Sequence, residues 1–568
     1  MGICRDGKAQ VLQPKKLGGR RAVLFVYAME AMENMAFIAS AVSLVTYFSG
    51  YMNFDLTKSA NTLTNFMGTS FLLPIMGGFI SDTFLSRFKT CIIFGFIELI
   101  GYALLTVQAH FDFMRPKMCP ILGNNSQSNC ESAHGGQAAI LFSGLYLVAL
   151  GTGGVKAALP ALGADQFDKR DEREAPDLSS FFNWFLFSLT IGASFGVTFV
   201  VWVSVNQGWE WGFGICTVAI LLAIFSLYLG RSNYRVYVPV GRSPVLRILQ
   251  VFVATARNWR LSVPKNSGEL YELHDKEAGP QGETLKRTDQ FRFLDRAAIP
   301  KDSITHTTHP WHLCTMTQVE ETKILMRMLP IIASTIFMNT CLAQLQTFSI
   351  QQGVTMEPHL GKFKVPASSI PVIPLIFMAI LVPIYEKVFV PVARKMTGIP
   401  TGISHLQRIG VGLVLSIISM SIAGVIETKR KSVAIEHNMV DTNNIMNPLP
   451  MSVFWLGFQY AIFGAADMFT LVGLLEFFYS ESSIGMKTLG TSISWCSLAF
   501  GYYTSTVVVE VVNKVSDGWL AGNNLNRDHL SYFYWLLAGL SAVNFGNYLY
   551  WAKWYKYKSV VIPKEDDK

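Results

Sequence analysis

Two acidic side chains lie three residues apart in an otherwise apolar stretch near the start of the chain. Glu30 and Glu33 occur in EAMENMAF, where Asn34 follows the second acid instead of a base. Residues three apart share one face of a helix. Two buried carboxylates this close repel each other, which favours protonation of at least one. The pair is a candidate for taking up and releasing a proton; the alternative is a pair satisfied by a nearby base or by water.

The elements that must position this pair are membrane-spanning helices. Of the 568 residues, 51% are hydrophobic and 15% are charged, whereas soluble domains carry about a quarter charged residues. Apolar runs long enough to cross a bilayer indicate helices, because backbone groups in lipid must bond internally. The sequence predicts an all-α membrane protein with twelve spans in two six-helix bundles, at 22–48, 60–81, 88–108, 136–158, 179–203, 212–230, 322–345, 369–390, 407–426, 451–475, 488–513 and 531–552.

Charged residues inside spanning helices are costly and are functional candidates by default. Lys156 follows the glycine-rich stretch ALGTGG, and its ammonium needs an anion, either a helix-1 glutamate at rest or an anionic substrate. Glu476, in LLEFFY, would be the ion of the C-terminal half. The alternatives are a lysine that reaches the membrane surface and a carboxylate bonded at a helix end. Further intramembrane charges are Glu98 and Asp467.

The chain is organised as six helices, a long polar interruption and six more helices. The predicted units are a cytoplasmic segment, a six-helix bundle, a cytoplasmic linker with amphipathic helices, a second bundle and a cytoplasmic tail, at 1–21, 22–230, 231–321, 322–552 and 553–568. Lys and Arg concentrate in the loops that this layout places inside; the KRK run at 429–431 is an exception. The net charge of +8 follows this topology and does not indicate a nucleic-acid partner. The linker could also be a simple tether.

Two inner-side features suggest gating and regulation. Asp82 and Arg87 flank a tight turn between helices 2 and 3, a spacing that suits a charge-assisted clasp. Thr90 begins helix 3 close to Arg87, where a phosphate would be stabilised by the helix N-terminus. Phosphorylation there would imply a kinase partner, and the alternative is a helix-capping threonine.

One outer loop carries candidate modification sites. Asn124 begins the glycosylation sequon Asn-Asn-Ser. Cys119 and Cys130 share this loop and could form a disulfide on the oxidising side of the membrane.

Seven stretches of the chain form a recognisable set: GGFISDTFLSRFKT, ALGTGGVKAALPALGADQFD, FFNWFLFSLTIGAS, RFLDRAAI, LAQLQTFSIQQ, HLQRIGVG and LLEFFY. Together they resemble the plant nitrate/peptide transporter family, which belongs to the proton-coupled oligopeptide transporters of the major facilitator superfamily. The resemblance implies a proton-driven symporter of small solutes that works by alternating access.

The resemblance also implies roles for particular residues. The family's helix-1 signature is Glu-x-x-Glu followed by Arg or Lys, and Asn34 departs from it. Lys156 matches the family's helix-4 lysine, and Glu476 matches its C-terminal-half glutamate. The expected proton-coupling residues are Glu30 and Glu33, and the expected substrate-binding residues are Asn34, Lys156, Gln344 and Glu476.

Other positions favour one plant subgroup over others. The Glu-Asn pair of helix 1, KSANTLTNFMGTSFLL and AQLQTFSIQQ resemble members linked to uptake of abscisic acid, gibberellins and, in some cases, nitrate. Leu342 stands where nitrate carriers of the family can have a histidine, which argues against a nitrate site of that kind. Thr190 replaces a usual asparagine.

These observations predict a proton-coupled importer of a small organic anion, with abscisic acid or gibberellin as the leading substrate. The alternatives are nitrate, a glycosylated metabolite, a peptide, or a transporter-like sensor. No resident cofactor is expected; the partners are the substrate, protons and the lipid bilayer. The sequence contains no nucleophile elbow, zinc motif or phosphate loop, which argues against an enzyme. The plasma membrane is the expected location, with the vacuolar membrane as the alternative.

Overall fold

The computed structural model describes residues 18–54, 56–117, 132–168, 174–235, 244–272, 285–300, 311–360, 363–364, 370–399, 401–440, 448–516, 518–520 and 525–558. Helices dominate this part of the chain. In chain order they are α1 (Arg20–Gly50), α2 (Leu56–Leu72), α3 (Pro74–Thr83), α4 (Arg87–His110), α5 (Gly135–Ala164), α6 (Ala175–Phe195), α7 (Val201–Asn206), α8 (Trp209–Leu229), α9 (Pro244–Arg257), α10 (Met316–Thr355), α11 (Val372–Ile384), α12 (Val390–Thr397), α13 (His405–Glu436), α14 (Leu456–Glu481), α15 (Lys487–Val515) and α16 (Leu530–Trp554).

These helices account for the twelve predicted spans. Within the described residues, ten helical segments are long and apolar enough to cross a membrane. Three of the ten combine two consecutive helices: α2 with α3, α6 with α7, and α11 with α12. The other two predicted spans are α15 and α16, with 29 and 25 residues. We call the face at which α1 begins and α16 ends the inner face, which the sequence predicts to be cytoplasmic.

Three spans are interrupted at positions where regular helix geometry fails. Pro74 occupies the first turn of α3, where its missing N–H is tolerated, and it separates α3 from α2. A π-helical turn at Gly196–Val200 joins α6 to α7, and another at Tyr385–Phe389 joins α11 to α12. Single π turns inside helices are frequent at functional sites. The two π-helical turns lie in spans of different halves, and these spans contact each other through α6 and α11.

The larger hydrophobic core joins the two halves. It is formed mainly by α1 to α8 but includes buried residues of α11, α14 and α15, and a second core cluster is formed by α10, α13, α14 and α16. The halves contact each other through α2 and α3 against α15, and through α6 against α11. Helix α5 also contacts α15, so the helix that carries Lys156 lies against the second half.

Two small sheets depart from the purely helical prediction. Strands β1 (Met356–Glu357) and β4 (Leu449–Ser452) pair in parallel, and β2 (His359–Leu360) pairs antiparallel with β3 (Phe363–Lys364). Strands this short carry no hydrophobic periodicity, so the sequence pattern could not indicate them.

The described part of the linker packs against α10. Val251 and Ala254 of α9 share a buried cluster with Leu294 and Ala297 of a short 3₁₀ segment, Arg292–Ala298, and with Val319 of α10. Asp295 of that segment, which is fully buried, forms ion pairs with Lys323 at 2.5 Å and Arg287 at 2.9 Å. Apolar packing and paired charges therefore fix these residues to α10, which a simple tether would not require.

Helix α13 explains the basic run that disagreed with the charge pattern. The predicted span ended at residue 426, but the helix continues to Glu436. Arg430 is fully buried and donates to both carboxylate oxygens of Glu427, at 2.8 and 2.7 Å. Lys429 Nζ lies 3.6 Å from the ring centroid of Trp455. The run is therefore part of a helix in which these two bases have specific partners.

Candidate functional site

The two glutamates of α1 belong to a buried polar cluster that reaches α5. Lys156 Nζ donates to Glu33 Oε2 at 3.0 Å and to Asn34 Oδ1 at 3.2 Å. Asn34 Nδ2 donates to Glu30 Oε1 at 2.6 Å. All four side chains are at most 2% exposed. Asn34 thus connects the lysine to the first glutamate, and the positive charge that Asn34 itself lacks is supplied by α5.

A third acid adjoins this cluster from α4. Glu98 is fully buried, and its Oε1 accepts a hydrogen bond from Thr152 Oγ1 at 3.0 Å. We call Glu30, Glu33, Asn34, Glu98 and Lys156 the central cluster. In each of its three glutamates, one carboxylate oxygen has no hydrogen-bond partner among the described residues. Because an unpaired buried charge is costly, three acids around one base favour bound protons.

Close packing of α4 and α5 brings the third acid into place. A Cβ on Gly151 would lie 2.5 Å from the backbone nitrogen of Glu98 and 2.6 Å from its Cα. Such contacts do not occur in folded proteins, so only glycine allows this approach. The glycine at 151 therefore lets the two backbones meet, and Thr152 comes within reach of Glu98.

Aromatic rings surround the ammonium of Lys156. Its Nζ lies 4.9 Å from the ring centroid of Phe37 and 5.4 Å from that of Trp495 on α15. Phe71 of α2 stacks on Trp495 and on Tyr502, with centroids 6.0 and 6.3 Å apart. A cation is attracted to aromatic faces, and the same rings form an apolar wall. This site can bind an anion with an apolar body.

Asp467 is an intramembrane acid close to these aromatic rings. It lies on α14, is partly exposed, and is close enough to Tyr502 to interact with it electrostatically. The Tyr502 hydroxyl donates to Gln346 Oε1 at 2.7 Å. An acid, a hydroxyl and an amide of the C-terminal half are therefore grouped around the ring that stacks on Phe71.

Asp82 and Arg87 meet at the inner face, and their contacts extend beyond each other. Arg87 Nη2 lies 3.6 Å from Asp82 Oδ1, and Arg87 also pairs with Asp165 at the end of α5. Arg87 Nε donates to Thr488 Oγ1 at 2.8 Å, and the Leu489 amide donates to Asp82 Oδ2 at 2.8 Å. The predicted clasp between helices 2 and 3 therefore also holds the first half to α15 of the second.

Other inner-face contacts reinforce this connection. The Tyr479 hydroxyl of α14 donates to Asp165 Oδ1 at 2.8 Å, and Lys487 Nζ lies 3.5 Å from the same oxygen. Asp165 thus contacts polar side chains of both halves: Arg87 of the first, and Tyr479 and Lys487 of the second. In this conformation the inner ends of the two halves are joined by charges.

Glu476 belongs to this inner face and does not pair with Lys156. Its Oε2 lies 3.6 Å from Arg408 Nη1 and 3.6 Å from His405 Nδ1. Arg408 Nη2 donates to Asn183 Oδ1 of α6 at 2.5 Å, and Asn183 Nδ2 donates to Glu386 Oε2 at 2.5 Å. The structure therefore places Glu476 in a network between the halves, apart from the central cluster.

Two other predicted residues have local partners. Gln344 of α10 donates from Nε2 to the Ser505 hydroxyl at 2.7 Å and to the Ser505 carbonyl at 3.1 Å. Thr90 is fully buried, and its hydroxyl donates to the Ser86 carbonyl at 3.2 Å. The helix is capped by Ser86, so Thr90 is not the capping residue. Asn124, Cys119 and Cys130 lie outside the described residues.

Comparison with known proteins decides the family. A family model described as the POT family matches residues 88–524. The chain belongs to the POT family. Similar proteins in Arabidopsis thaliana include Protein NRT1/PTR FAMILY 4.6, which is 44% identical and covers 95% of both chains. Protein NRT1/PTR FAMILY 4.3 is 43% identical, covering 97% of this chain and 92% of its own. The resemblance found in the sequence is confirmed.

Solved structures of POT-family proteins share the fold. The auto-inhibited POT family peptide transporter has a TM-score of 0.60 and 19% identity, covering 97% of this chain and 99% of its own. A POT family transporter in complex with 5-aminolevulinic acid has a TM-score of 0.60 and 11% identity, covering 94% and 96%. The predicted major facilitator architecture is therefore confirmed. The protein is a multi-pass membrane transporter and not an enzyme.

Within this POT-family chain, sequence reasoning overlooked several inner-face residues. Asp165, Asn183, Arg408 and Tyr479 form bonds across or near the junction of the halves. Each lies in a stretch that carried the family resemblance, namely GADQFD, FFNWF, HLQRIG and LLEFFY. These residues could have been identified in the sequence as polar side chains near the inner ends of apolar spans.

Proposed function

We propose that this POT-family protein is a proton-coupled symporter that imports a small organic anion by alternating access. The leading substrate is a carboxylate plant hormone, abscisic acid or gibberellin, carried across the plasma membrane. The observation that carries the proposal is the ion pair of Lys156 and Glu33 at 3.0 Å, surrounded by two more buried acids. One base shared among three acids can exchange an internal anion for an external one.

Exchange of anions on Lys156 provides the coupling step. At rest, Glu33 is the counter-ion of Lys156. When a substrate carboxylate takes this place, Glu33 loses its partner inside a low-dielectric site. Burial then favours the neutral form of the carboxyl, so Glu33 binds a proton. Proton and substrate are therefore bound together, and release of the substrate inside returns Glu33 to Lys156 and frees the proton.

The walls of the site favour a substrate with an apolar body. Phe37, Phe71 and Trp495 form an apolar surface beside the ammonium. Asp467 and the Gln346–Tyr502 pair could bind a hydroxyl at the far end of the ligand. Ligand sites in proteins combine such apolar walls with a few polar groups. An acidic terpenoid with one carboxylate and one hydroxyl has these features.

The inner-face contacts supply the gate. Opening toward the inside must separate Arg87 from Thr488 and Asp82 from Leu489. It must also separate Asp165 from Tyr479. Two halves that rock about a central site would exchange these bonds for contacts at the outer face.

Other substrates and roles are less well supported. Leu342 occupies the position where a nitrate-binding histidine is expected. A peptide carrier of the family would keep a base at residue 34, where this chain has asparagine. A sensor regulated at Thr90 would require the buried hydroxyl to leave the Ser86 carbonyl. A location in the vacuolar membrane is the alternative to the plasma membrane.

Uptake in oocytes tests the proposal. Radiolabelled abscisic acid and gibberellin are supplied at about pH 5.5 and about pH 7.5, with unlabelled nitrate and a dipeptide as competitors. We expect faster uptake at the acidic pH, without competition from the dipeptide. Equal uptake at both pH values would exclude proton symport. Full competition by nitrate would change the substrate class.

A further inference from the structure

Glu98 is a buried acid to which the exchange step above gives no role. It is fully buried in α4, and Thr152 donates to its Oε1 at 3.0 Å. No described residue bonds to its Oε2. The contact between α4 and Gly151 of α5 holds its backbone, so the side chain has a defined position. A carboxyl held this firmly in a membrane-spanning segment, with one free oxygen, is available for proton binding.

The groups that face Glu98 do not neutralise it. Glu30 and Glu33 of α1 interact with it electrostatically, as does Lys156 of α5. Its electrostatic neighbours Tyr102, on α4 itself, and Cys216, on α8, are uncharged in their ordinary forms. Among these groups the single base is Lys156, whose ammonium already bonds to Glu33. An ionised Glu98 would therefore be a buried acid without its own counter-ion, which is costly.

We propose that Glu98 is a third proton-carrying carboxyl of the transport site and binds one of the transported protons. The proposal rests on the proposed symport and deepens it. Glu98 takes a proton that enters when the site opens outward and releases it when the site opens inward. One O–H bond forms and the same bond later breaks, and no other reactant is needed. Thr152 is a positioning residue that stabilises the ionised form after release.

The ratio of charge to substrate tests this assignment. Glu98→Gln keeps the size of the side chain and an acceptor for Thr152, but it cannot bind or release a proton. In voltage-clamped oocytes supplied with radiolabelled abscisic acid, we expect this ratio to fall by about one elementary charge per molecule relative to the wild type. Glu481→Gln is the matched control, because this buried acid at the inner end of α14 accepts from Tyr555 and Lys558 and lies outside the site. The control should keep the wild-type ratio.

Thr152→Val provides a second readout if Glu98→Gln does not reach the membrane. Without the hydroxyl, the ionised form of Glu98 loses a hydrogen bond and the carboxyl keeps its proton more firmly. The pH of half-maximal uptake should therefore shift in the alkaline direction by roughly half a unit or more. Thr152→Ser keeps the hydroxyl and lacks the methyl group, so it should show the wild-type pH profile. If Thr152 acted only through packing of its methyl group, Thr152→Ser would be altered in the same way as a variant without that group.

The outcomes separate the two proposals. A wild type without acid-stimulated uptake contradicts the symport itself. Acid-stimulated uptake without a current in the wild type would mean one proton per carboxylate and overturns the role of Glu98 alone. A coupled wild type with an unchanged ratio in Glu98→Gln overturns the role of Glu98 alone. If only Thr152→Val can be measured, an unchanged pH profile overturns it equally.

Discussion

Two of the buried charge clusters of this protein, one in α13 and the central cluster, differ in how their charges are satisfied. In α13, Glu427 and Arg430 form a bidentate pair in which both carboxylate oxygens accept hydrogen bonds. Gln352 adds a bond to Glu427, and Thr355 and Asn526 accept from Arg430. In the central cluster, three acids share Lys156, and one oxygen of each acid has no partner among the described residues. Both clusters are buried, but only in α13 does each carboxylate oxygen have a hydrogen-bond partner among the described residues.

The difference separates structural charges from transport charges. A buried pair with all its hydrogen bonds made has one stable arrangement and no reason to bind a proton. A cluster with surplus acids has several arrangements of similar energy, since protons and counter-ions can be redistributed among them. Burial alone therefore does not mark a transport site, and the balance of acids, bases and hydrogen bonds does.

The largest effect is expected from breaking the paired cluster. Arg430→Ala leaves Glu427 buried without its base, which costs about 3–5 kcal/mol of stability. We expect a large fall in the thermal stability of the purified protein and in its amount at the cell surface. The double substitution Glu427→Leu with Arg430→Met should recover most of the stability, because no unpaired charge remains.

The pH dependence of uptake is the decisive measurement on the double variant. It should match the wild type if the paired cluster is structural. A changed pH dependence at normal surface expression would show that Glu427 takes part in transport, and the distinction between the clusters would fail.

A somewhat smaller effect is expected from removing the base of the central cluster. Lys156→Ala leaves three acids that can each bind a proton, so folding should be retained. Carboxylate uptake should fall by about 10- to 150-fold, since charge-assisted hydrogen bonds contribute roughly 1.5–3 kcal/mol. Uptake normalised to surface expression is compared for a carboxylate and for its methyl ester. Equal losses for both compounds would indicate a defect in gating instead of anion binding.

Neutralising one acid of the central cluster should be milder still. Glu33→Gln keeps a side chain of the same size but cannot exchange a proton, so accumulation against a gradient should fall by roughly tenfold. Exchange of internal for external substrate should persist, because Lys156 can still bind the anion. Preloaded oocytes distinguish the two activities. Accumulation equal to the wild type would assign Glu33 a structural role like that of Glu427.

The sequence was sufficient for the architecture because lipid permits few alternatives. Apolar runs in a bilayer must form helices, so all twelve spans were found. Boundaries were less accurate where helices extend beyond the hydrocarbon: α10 runs from Met316 to Thr355 against a predicted 322–345. Hydropathy marks the apolar part of a helix, but it does not show how far the backbone hydrogen bonds of that helix continue beyond the membrane surface. The short strands β1 to β4 were missed for a similar reason, since their pairing is set by tertiary contacts.

The site was predictable only as a set of residues. Glu30, Glu33 and Lys156 were identified because an ion in an apolar helix is conspicuous, and the structure brings all three together. The sequence analysis offers a helix-1 glutamate as the anion of Lys156 at rest, and in the structure this anion is Glu33, which lies 123 positions away along the chain. Glu476 was predicted to bind substrate, but it bonds at the inner face. Sequence spacing shows what lies on one helix and not which helices meet.

The smallest effect on uptake is expected from substituting Asn34. This substitution also tests most directly whether hydrogen bonds position the charges of the central cluster. It accepts from Lys156 and donates to Glu30, so it holds the base and one acid in fixed positions. Asn34→Ala removes three hydrogen bonds but no charge, because Asn34 Nδ2 also donates to the Glu30 carbonyl at 3.1 Å. Only the bond from Lys156 bears directly on anion binding, and one such bond is worth about 0.5–1.5 kcal/mol. We expect the KM for the carboxylate to rise about three- to tenfold, with the maximal rate nearly unchanged.

Asn339→Ala is the matched control for this substitution. Asn339 is also a buried asparagine in a spanning helix, but it donates to Ser497 of α15 and not to an ionised group. Both variants remove an amide from the membrane interior, so both should lose some stability. A rise in KM confined to Asn34→Ala would show that the amide positions the central charges. An equal rise in KM in both variants would mean that the Asn34 amide contributes only to packing. Lys156 would then bind its anion without being positioned by Asn34.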